Sequence, residues 1–272
     1  WTQQFCKNSF YTSGGFIMKQ PVHVRNIQIG DGVPKICIPI VENTSDSILT
    51  AAKNVLMACP DIIEWRCDHF DQAEDPEAAP AVLKDLHEVL GDIPVLFTFR
   101  TAKEGGAKSI SPASYQQLNC QVAESGLADL IDVEIFTGDD TVRSILDTAH
   151  HAGIPVVASS HNFQSTPTQE EILSILEKMD LMGADILKIA VMPQSRKDVV
   201  TLLSATEEMD RRTTRPLITM SMGPLGMISR LCGEVFGSSL TFGSVDKTSA
   251  PGQVGAKELA NVLKLIHESM VN

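Results

Sequence analysis

The sequence has few aromatic residues and no long run of apolar ones. Phe, Trp and Tyr make up 5% of its 272 residues. No stretch approaches the ~18 consecutive apolar residues expected of a membrane-spanning helix. There is also no lysine-rich start followed by the apolar segment of a signal peptide. These absences argue against a membrane partner and an export signal, and we expect a cytoplasmic protein.

Basic residues are scarce relative to acidic ones. The chain has 22 Lys and Arg against 34 Asp and Glu, and its formal net charge is −12. A nucleic-acid-binding surface needs clustered Lys and Arg to neutralise phosphates, so no nucleic-acid partner is expected. An anionic small-molecule substrate stays possible, because salt screens charges over roughly 8 Å and a few local arginines can dominate a pocket.

The cysteines do not form a motif. Six of them are present, and no two have the Cys-x-x-Cys spacing. Several fall within apolar strand or helix patterns, where a free thiol packs as a small hydrophobic group. The pattern is typical of a protein from a reducing cytosol.

Short apolar runs alternate with amphipathic helical patterns from residue 35 to the C-terminus, which is the pattern of repeated βαβ units. The strand candidates are Lys35–Ile40, Ile62–Arg66, Val95–Arg100, Leu130–Ile135, Val156–Ser160, Ile186–Val191, Leu217–Ser221 and Leu240–Val245. The helix candidates are 46–58, 77–90, 112–125, 140–151, 167–181, 195–210, 226–236 and 255–270.

Eight strand-helix pairs without a linker favour a closed (β/α)8 barrel, an α/β fold of the TIM-barrel type. The alternative is a doubly wound open sheet, but neither a Gly-x-Gly-x-x-Gly nor a Gly-x-x-x-x-Gly-Lys-Ser/Thr loop is present. We predict that residues 18–272 form a single barrel, with a possible hairpin at Val22–Ile29 closing its bottom. Residues 1–17 are polar and aperiodic, and we predict a non-native or disordered leader there.

Lys188 is the most informative residue of the chain. It lies within the apolar run Asp185–Met192, where a buried ammonium must find a partner or lose its proton. Desolvation lowers a lysine pKa and turns the amine into a nucleophile toward carbonyls. A core ion pair or an exposed strand face would explain the same residue without chemistry. Strand alternation places Ile186, Lys188 and Ala190 on one face, which must be the barrel interior if a substrate is to reach the amine.

Other polar residues fall where the predicted strands end, which is where (β/α)8 barrels carry their chemistry. They are Glu64, Arg66, Arg100, Glu104, Asp132, Glu134, Ser159, Ser160 and His161. Each has a simpler structural explanation. Glu64 and Arg66 are as readily an ion pair filling polar space, His161 a hydrogen-bonded strand end, and Arg230 part of a solvated helix face.

Two competing chemistries lack their motifs. The seven histidines show no His-Glu-x-x-His or similar ligand spacing, so no metal is expected. No Gly-x-Ser-x-Gly nucleophile elbow is present for a serine hydrolase. Lysine as covalent catalyst, with histidine as acid and base, is the economical interpretation, and it needs no cofactor.

The residues at the strand ends resemble those of type I 3-dehydroquinate dehydratases, in the same order and at the same spacings, from about Met18 onward. The matching stretches are Glu64–Phe70, Phe97–Gly106, Ser160–Phe163, Lys188–Pro193, Ile228–Arg230 and Ser249–Gln253. One departure is Pro39, near which the family often has a serine, so the resemblance carries over no hydroxyl contact from the first strand.

The resemblance implies a Schiff-base lyase of the shikimate pathway that converts 3-dehydroquinate to 3-dehydroshikimate and water by syn elimination. It implies that Lys188 forms the imine, His161 moves the protons, and Glu104 orients His161. Arg230 would hold the substrate carboxylate. The remaining substrate contacts implied are Glu64, Arg66, Arg100, Ser249 and Gln253, the last two on a closing lid.

Two other functions remain open from the sequence. Another Schiff-base barrel enzyme, such as an aldolase, would use the same lysine, and a non-catalytic ligand-binding barrel would keep the same pocket. Apolar positions on the outer helices are compatible with a homodimer.

Overall fold

The computed structural model describes residues 19–245 and 253–271. Eight parallel strands, β3 to β10, follow one another around a barrel, each hydrogen-bonded to the next as far as β9. Their bounds are β3 Lys35–Ile40, β4 Ile62–Arg66, β5 Val95–Thr98, β6 Leu130–Glu134, β7 Val156–Asn162, β8 Ile186–Val191, β9 Leu217–Ser221 and β10 Leu240–Ser244. A two-residue strand, β11 (Val254–Gly255), pairs with β10 outside the ring.

The ring closes between its first and last strands. β10 pairs in parallel with β3. On its other side, Leu217 of β9 forms a parallel bridge with Ser238, and the Ser239 amide donates to the Leu217 carbonyl at 2.8 Å. The predicted (β/α)8 barrel is thereby confirmed, and the open doubly wound sheet is not the fold of this chain.

Helices surround the barrel, and most begin or end within two residues of the predicted bounds. They are α1 Ser45–Leu56, α2 Ala78–Leu90, α3 Pro112–Ser125, α4 Asp139–His151, α5 Gln169–Leu181, α6 Arg196–Asp210, α7 Gly223–Leu231, α8 Gly233–Phe236 and α9 Ala256–Val271. The sequence predicted one helix at 226–236, and that prediction is wrong because the structure has two helices there. The Cys232 backbone, at φ −103° and ψ 17°, departs from helical geometry and divides it into α7 and α8.

Each strand alternates between two apolar environments. The outward residues, such as Ile63, Val133 and Leu187, pack against the helices. The inward residues at the N-terminal ends of the eight strands form a separate apolar cluster, which consists of Cys37, Ile62, Leu96, Leu130, Val157, Ile186, Ile218 and Leu240. Because successive strand residues point to opposite faces, this arrangement places Lys188 inside the barrel, two residues above Ile186.

A hairpin covers the bottom of the barrel, as predicted. Its strands are β1 (Val22–Val24) and β2 (Ile27–Ile29), which pair antiparallel. Val24 and Ile29 are 4% and 0% exposed and belong to the same cluster as the inward residues of the barrel strands. The hairpin therefore seals the N-terminal end and leaves the C-terminal end as the accessible mouth.

Candidate active site

Lys188 lies inside the barrel and is 2% exposed. Its Nζ donates to Oδ2 of Asp132 at 3.0 Å and lies 3.5 Å from Oε1 of Glu64. The Phe242 ring lies on another side, with its centroid 4.6 Å from Nζ. The buried ammonium has therefore found partners, and the amine must give up its proton before it can attack a carbonyl carbon.

Asp132 is the central acceptor of this network and is fully buried. Besides Lys188, it accepts from Nη2 of Arg100 at 2.7 Å and from Oγ of Ser159 at 2.6 Å. Burial by itself would raise the pKa of Asp132, but the neighbouring Arg100 and Lys188 cations outweigh it and lower that pKa. Asp132 is thus held as a carboxylate next to the candidate nucleophile.

His161 and Glu104 form a close pair at the mouth. Oε2 of Glu104 lies 3.0 Å from Nδ1 of His161 and also accepts from the His161 backbone N–H at 3.0 Å. When Glu104 is ionised, Nδ1 donates to it and the second ring nitrogen, Nε2, is left as an acceptor. His161 pairs in register with Ala190, two residues beyond Lys188, so imidazole and amine lie on neighbouring strands.

The surroundings of this pair disfavour charge on both partners. Burial lowers the pKa of His161 well below 6.5, and the Arg100, Lys188 and Arg66 cations lower it further. Burial also raises the pKa of Glu104; Arg100 opposes that rise, whereas the Glu134 and Asp132 carboxylates add to it. The imidazole is therefore uncharged at neutral pH, which is the form required of a base.

Arg100 connects three carboxylates rather than facing open solvent. Besides its bond to Asp132, its Nη1 donates to Oε1 of Glu134 at 3.2 Å and lies 3.6 Å from Oε2 of Glu104. Burial by itself would lower the pKa of this guanidinium, but the three carboxylates raise it. Arg100 therefore compensates the negative charge that the inward-facing acids bring into the barrel.

Arg66 and Glu64 lie on the inward face of β4. Nε and Nη2 of Arg66 donate to the two oxygens of Asp68 at 2.7 and 2.8 Å, a bidentate geometry that fixes the guanidinium plane. Oε1 of Glu64 accepts from the Thr98 hydroxyl at 3.0 Å. Both residues line the same cavity as Lys188.

Arg230 is buried, with 1% of its surface exposed, so it is not part of a solvated helix face. Its Nη1 lies 3.7 Å from Sδ of Met220, and burial lowers its pKa to about 10, which still leaves it protonated at neutral pH. A buried guanidinium at the edge of a cavity is suited to binding a carboxylate.

These side chains line one cavity at the mouth of the barrel. The predicted residues that line it are Glu64, Arg66, Arg100, Glu104, His161, Lys188, Arg230 and Gln253. Ser249 lies outside the described residues. Met220, Met222 and Phe242 supply an apolar wall. Among the described residues, no group of His, Cys, Asp and Glu side chains has an arrangement that could hold a metal ion.

Sequence reasoning left Asp132, Asp68 and Phe242 without a role, although all three contact predicted site residues. Strand parity gives a signal for Asp132, since it shares the inward face with Glu134. Asp68 carries no such signal because it lies in a 3-10 turn, Cys67–His69, beyond the end of β4.

A barrel whose mouth combines a buried lysine, an imidazole-carboxylate pair and arginines around one cavity has the site of a TIM-barrel enzyme, since such enzymes carry their catalytic residues at the C-terminal ends of the strands. Comparison with known proteins narrows the class. Residues 36–270 match the family model described as type I 3-dehydroquinase. The chain belongs to the type I 3-dehydroquinase family.

The relatives cover nearly the whole chain. A 3-dehydroquinate dehydratase of Clostridioides difficile is 50% identical over 254 residues, covering 93% of this chain and 100% of the relative. One from Salmonella typhimurium is 47% identical, with 91% and 99% covered. The crystal structure of the type I enzyme from Clostridium difficile with covalently modified comenic acid superposes with a TM-score of 0.90, covering 93% of this chain and 100% of that one at 50% identity.

Proposed function

We propose that Lys188 forms an imine with the ketone of 3-dehydroquinate and that His161 moves the protons of the dehydration. Family membership makes the chain a hydro-lyase that converts 3-dehydroquinate to 3-dehydroshikimate and water, a step of the shikimate pathway to aromatic amino acids. The observation that carries the residue assignment is the placement of Lys188 and His161 on adjacent strands, facing one cavity.

The first step frees the amine. Nζ of Lys188 contacts Asp132 and Glu64, and only the deprotonated amine has the lone pair that attacks the ketone carbon. The attack forms an N–C bond and a carbinolamine. Loss of the oxygen as water then gives a protonated imine, for which Asp132 is the nearest counter-charge. His161 supplies and removes protons during this exchange.

Elimination follows from the imine. Its positive nitrogen withdraws electrons, so the adjacent C–H bond becomes acidic enough for a neutral imidazole to break. Nε2 of His161 takes that proton, and the electron pair moves into an enamine. The enamine then expels the hydroxyl, which His161 protonates to water. Hydrolysis of the conjugated imine releases the product ketone and restores Lys188.

Glu104 orients His161 for both proton transfers. In its ionised form, Glu104 accepts from Nδ1 and so selects the tautomer that leaves Nε2 basic, and its bond to the His161 backbone N–H fixes the position of that residue. In this role, the Glu104 carboxylate acts on the imidazole and not on the substrate itself.

Substrate contacts are assigned to the charged lining of the cavity. Arg230 binds the carboxylate, while Glu64, Arg66, Arg100, Ser249 and Gln253 contact hydroxyls or the carboxylate. For Arg100, its bonds to Asp132 and Glu134 support a further role in holding those acids in place. The type I enzyme from Clostridium difficile was solved with covalently modified comenic acid, which supports covalent capture of an organic acid by this family.

Borohydride trapping tests the assignment. Reduction of the enzyme in the presence of 3-dehydroquinate should fix the substrate carbon skeleton to Lys188, and peptide mass mapping locates it. A label on any other residue contradicts the proposal. Product analysis separates the dehydratase from an aldolase, since loss of water without carbon-carbon cleavage is expected.

Other properties stay predictions. A homodimer and a cytoplasmic location fit the exposed apolar side chains on α7 and α8 and the free thiols of the five described cysteines. Within the described residues, no helix is long and apolar enough to cross a membrane. The absence of membrane and nucleic-acid partners and the single barrel at 18–272 are predictions from the sequence. Residues 1–17, for which the sequence predicted a leader, lie outside the described residues. Light scattering of the purified protein tests the dimer.

A further inference from the structure

We infer that Asp68 is a positioning residue that holds the loop carrying Glu104 at the catalytic distance from His161. Asp68 lies in the 3-10 turn after β4, is fully buried, and belongs to no contact that the substrate makes in the proposed mechanism. The inference rests on the proposed roles of Glu104 and His161 and adds to them the element that sets their geometry.

Asp68 holds both ends of that loop with its two oxygens. Oδ1 accepts from the backbone N–H of Arg100 at 3.2 Å, where β5 has ended, and Oδ2 accepts from the backbone N–H of Ala107 at 2.9 Å. Glu104 lies between these two points. A buried carboxylate with two backbone donors is a fixed anchor, because leaving either N–H unpaired in the interior costs free energy.

The loop between the anchors is tightly folded. The Gly106 amide donates to the Thr101 carbonyl at 2.9 Å, and the Ala102 amide donates to the Lys108 carbonyl at 2.9 Å. A Cβ added to Gly106 would lie 1.8 Å from the Arg100 carbonyl oxygen, so only glycine permits this closure. The loop therefore moves as one piece with its anchors, and displacing them displaces the Glu104 carboxylate.

The same carboxylate also holds Arg66, which lines the cavity from the other strand. Burial by itself would raise the pKa of Asp68, but the bonds and charge of Arg66 lower it, so the anchor stays ionised. One side chain thus sets the position of both a cationic wall of the cavity and the general-base pair opposite it.

Asp68→Asn is the direct test, because asparagine keeps the shape but replaces one acceptor oxygen by a donor. We expect kcat to fall about tenfold to a hundredfold with a smaller change in KM, since the loss concerns the orientation of the base. In ¹⁵N-histidine spectra, the His161 ring, assigned with His161→Gln, should change from one tautomer to a mixture. A matched control is Asp129→Asn, whose carboxylate likewise pairs with an arginine, Arg25, and accepts a backbone N–H, from Val95, but at the bottom of the barrel.

A double-mutant cycle with Glu104→Gln separates this inference from the proposed mechanism. If Asp68 acts through Glu104, adding Asp68→Asn to Glu104→Gln causes no further loss of kcat. Full additivity, or an Asp68→Asn enzyme that keeps wild-type kcat and a single tautomer while losing stability as Asp129→Asn does, overturns the inference. A Glu104→Gln enzyme with wild-type kcat would instead overturn the proposed role of Glu104.

Lys108→Met provides a second route should Asp68→Asn not fold. The Lys108 ammonium donates to the Phe70 carbonyl just beyond the 3-10 turn, and it links the same loop to the same segment without a buried charge. We expect Lys108→Met to lower kcat less than Asp68→Asn does. When Glu104→Gln is already present, Lys108→Met should cause no further loss of kcat. Unchanged kcat would contradict the inference.

Discussion

The two halves of the barrel interior are built from the same eight strands but differ in chemistry. At the N-terminal end, the inward side chains are apolar, and Val24 and Ile29 of the hairpin pack among them. Two to four residues further along, the inward positions of β4 to β8 include Glu64, Asp132 and Lys188. The lower half stabilises the fold by burial, and the upper half holds charges that only mutual pairing makes tolerable.

This contrast shows how a barrel carries reactive groups without losing its stability. Burying charged groups is costly, and in the upper half the cost is offset by the pairs of Lys188 with Asp132 and of Arg100 with Asp132 and Glu134. Substitutions in the two halves should therefore have different consequences, one for activity and the other for stability.

Lys188→Met should have the largest effect. Methionine fills a similar volume without an amine, so no imine forms, and kcat should fall on the order of 10⁴-fold or more while the barrel still folds. Spectrophotometric assay with 3-dehydroquinate measures the loss, and circular dichroism monitors the fold. Turnover comparable to the wild type would remove the covalent mechanism.

Leu130→Ala is the corresponding change in the lower half. Leu130 is 1% exposed and lies two residues before Asp132 on the same inward face. Removing its side chain should lower the free energy of unfolding by about 2–5 kcal/mol, because a cavity remains in the apolar layer. Urea denaturation measures that loss. If kcat at a temperature where the variant is folded also fell severely, the two halves would not be separable.

The pH dependence of activity should report the charged groups in the upper half of the barrel interior. His161 must be neutral to act as a base, and its pKa is lowered by burial and by the nearby cations. The limb of kcat/KM that reports His161 should therefore lie below pH 6.5. Ionisation of Glu104, whose pKa is raised to about 8, gives a separate limb that Glu104→Gln removes. Initial rates of the wild type and of Glu104→Gln across the pH range locate both limbs, and a limb above pH 6.5 that persists in Glu104→Gln would contradict the buried neutral imidazole.

The same lowered pKa has a consequence for folding. Because the unfolded chain binds a proton at this imidazole more readily than the folded one, the His161 contribution to stability is present above pH 6.5 and is lost as the pH falls toward the folded-state pKa. Asp132, whose pKa is also lowered, loses its contribution at still lower pH. The denaturation midpoint, measured at a series of pH values, should decrease as the solution becomes acidic. His161→Gln should make the first part of that decrease smaller.

Ile29→Val should have the smallest effect. Ile29 is fully buried beneath the barrel, and one methylene lost there should cost about 0.5–1.5 kcal/mol of stability with no change in kcat or KM. Thermal denaturation and steady-state kinetics test both parts. An altered KM would mean that the hairpin influences the mouth at the opposite end.

The alternation of strands and helices predicted the barrel, because eight βαβ repeats leave few other ways to cover every apolar face. Strand parity placed Lys188 on one face with Ile186 and Ala190, and only the requirement that a substrate reach the amine made that face the barrel interior. Strand boundaries were less predictable where backbone amides bond to side chains instead of to the neighbouring strand. Arg100 was predicted within β5, but the strand ends at Thr98 and the Arg100 amide donates to Asp68 instead.

Contacts among long side chains could not be predicted from the sequence. Strand parity places Arg100 on the inward face at the mouth of the barrel. Whether its guanidinium faces the substrate or three carboxylates depends on the stagger between strands and on the fold of the loop after β5. Asp68 was missed for the same reason, since its partners are backbone amides 32 and 39 residues away.

The two-point attachment of Asp68 also limits how this chain can vary in length. Inserting or deleting a residue between the Arg100 and Ala107 amides would pull one of them off its acceptor or force the closed turn at Gly106 open. Length variation among natural or designed versions of this chain should therefore avoid this segment, even though it lies at the surface, where other loops accommodate extra residues at little cost.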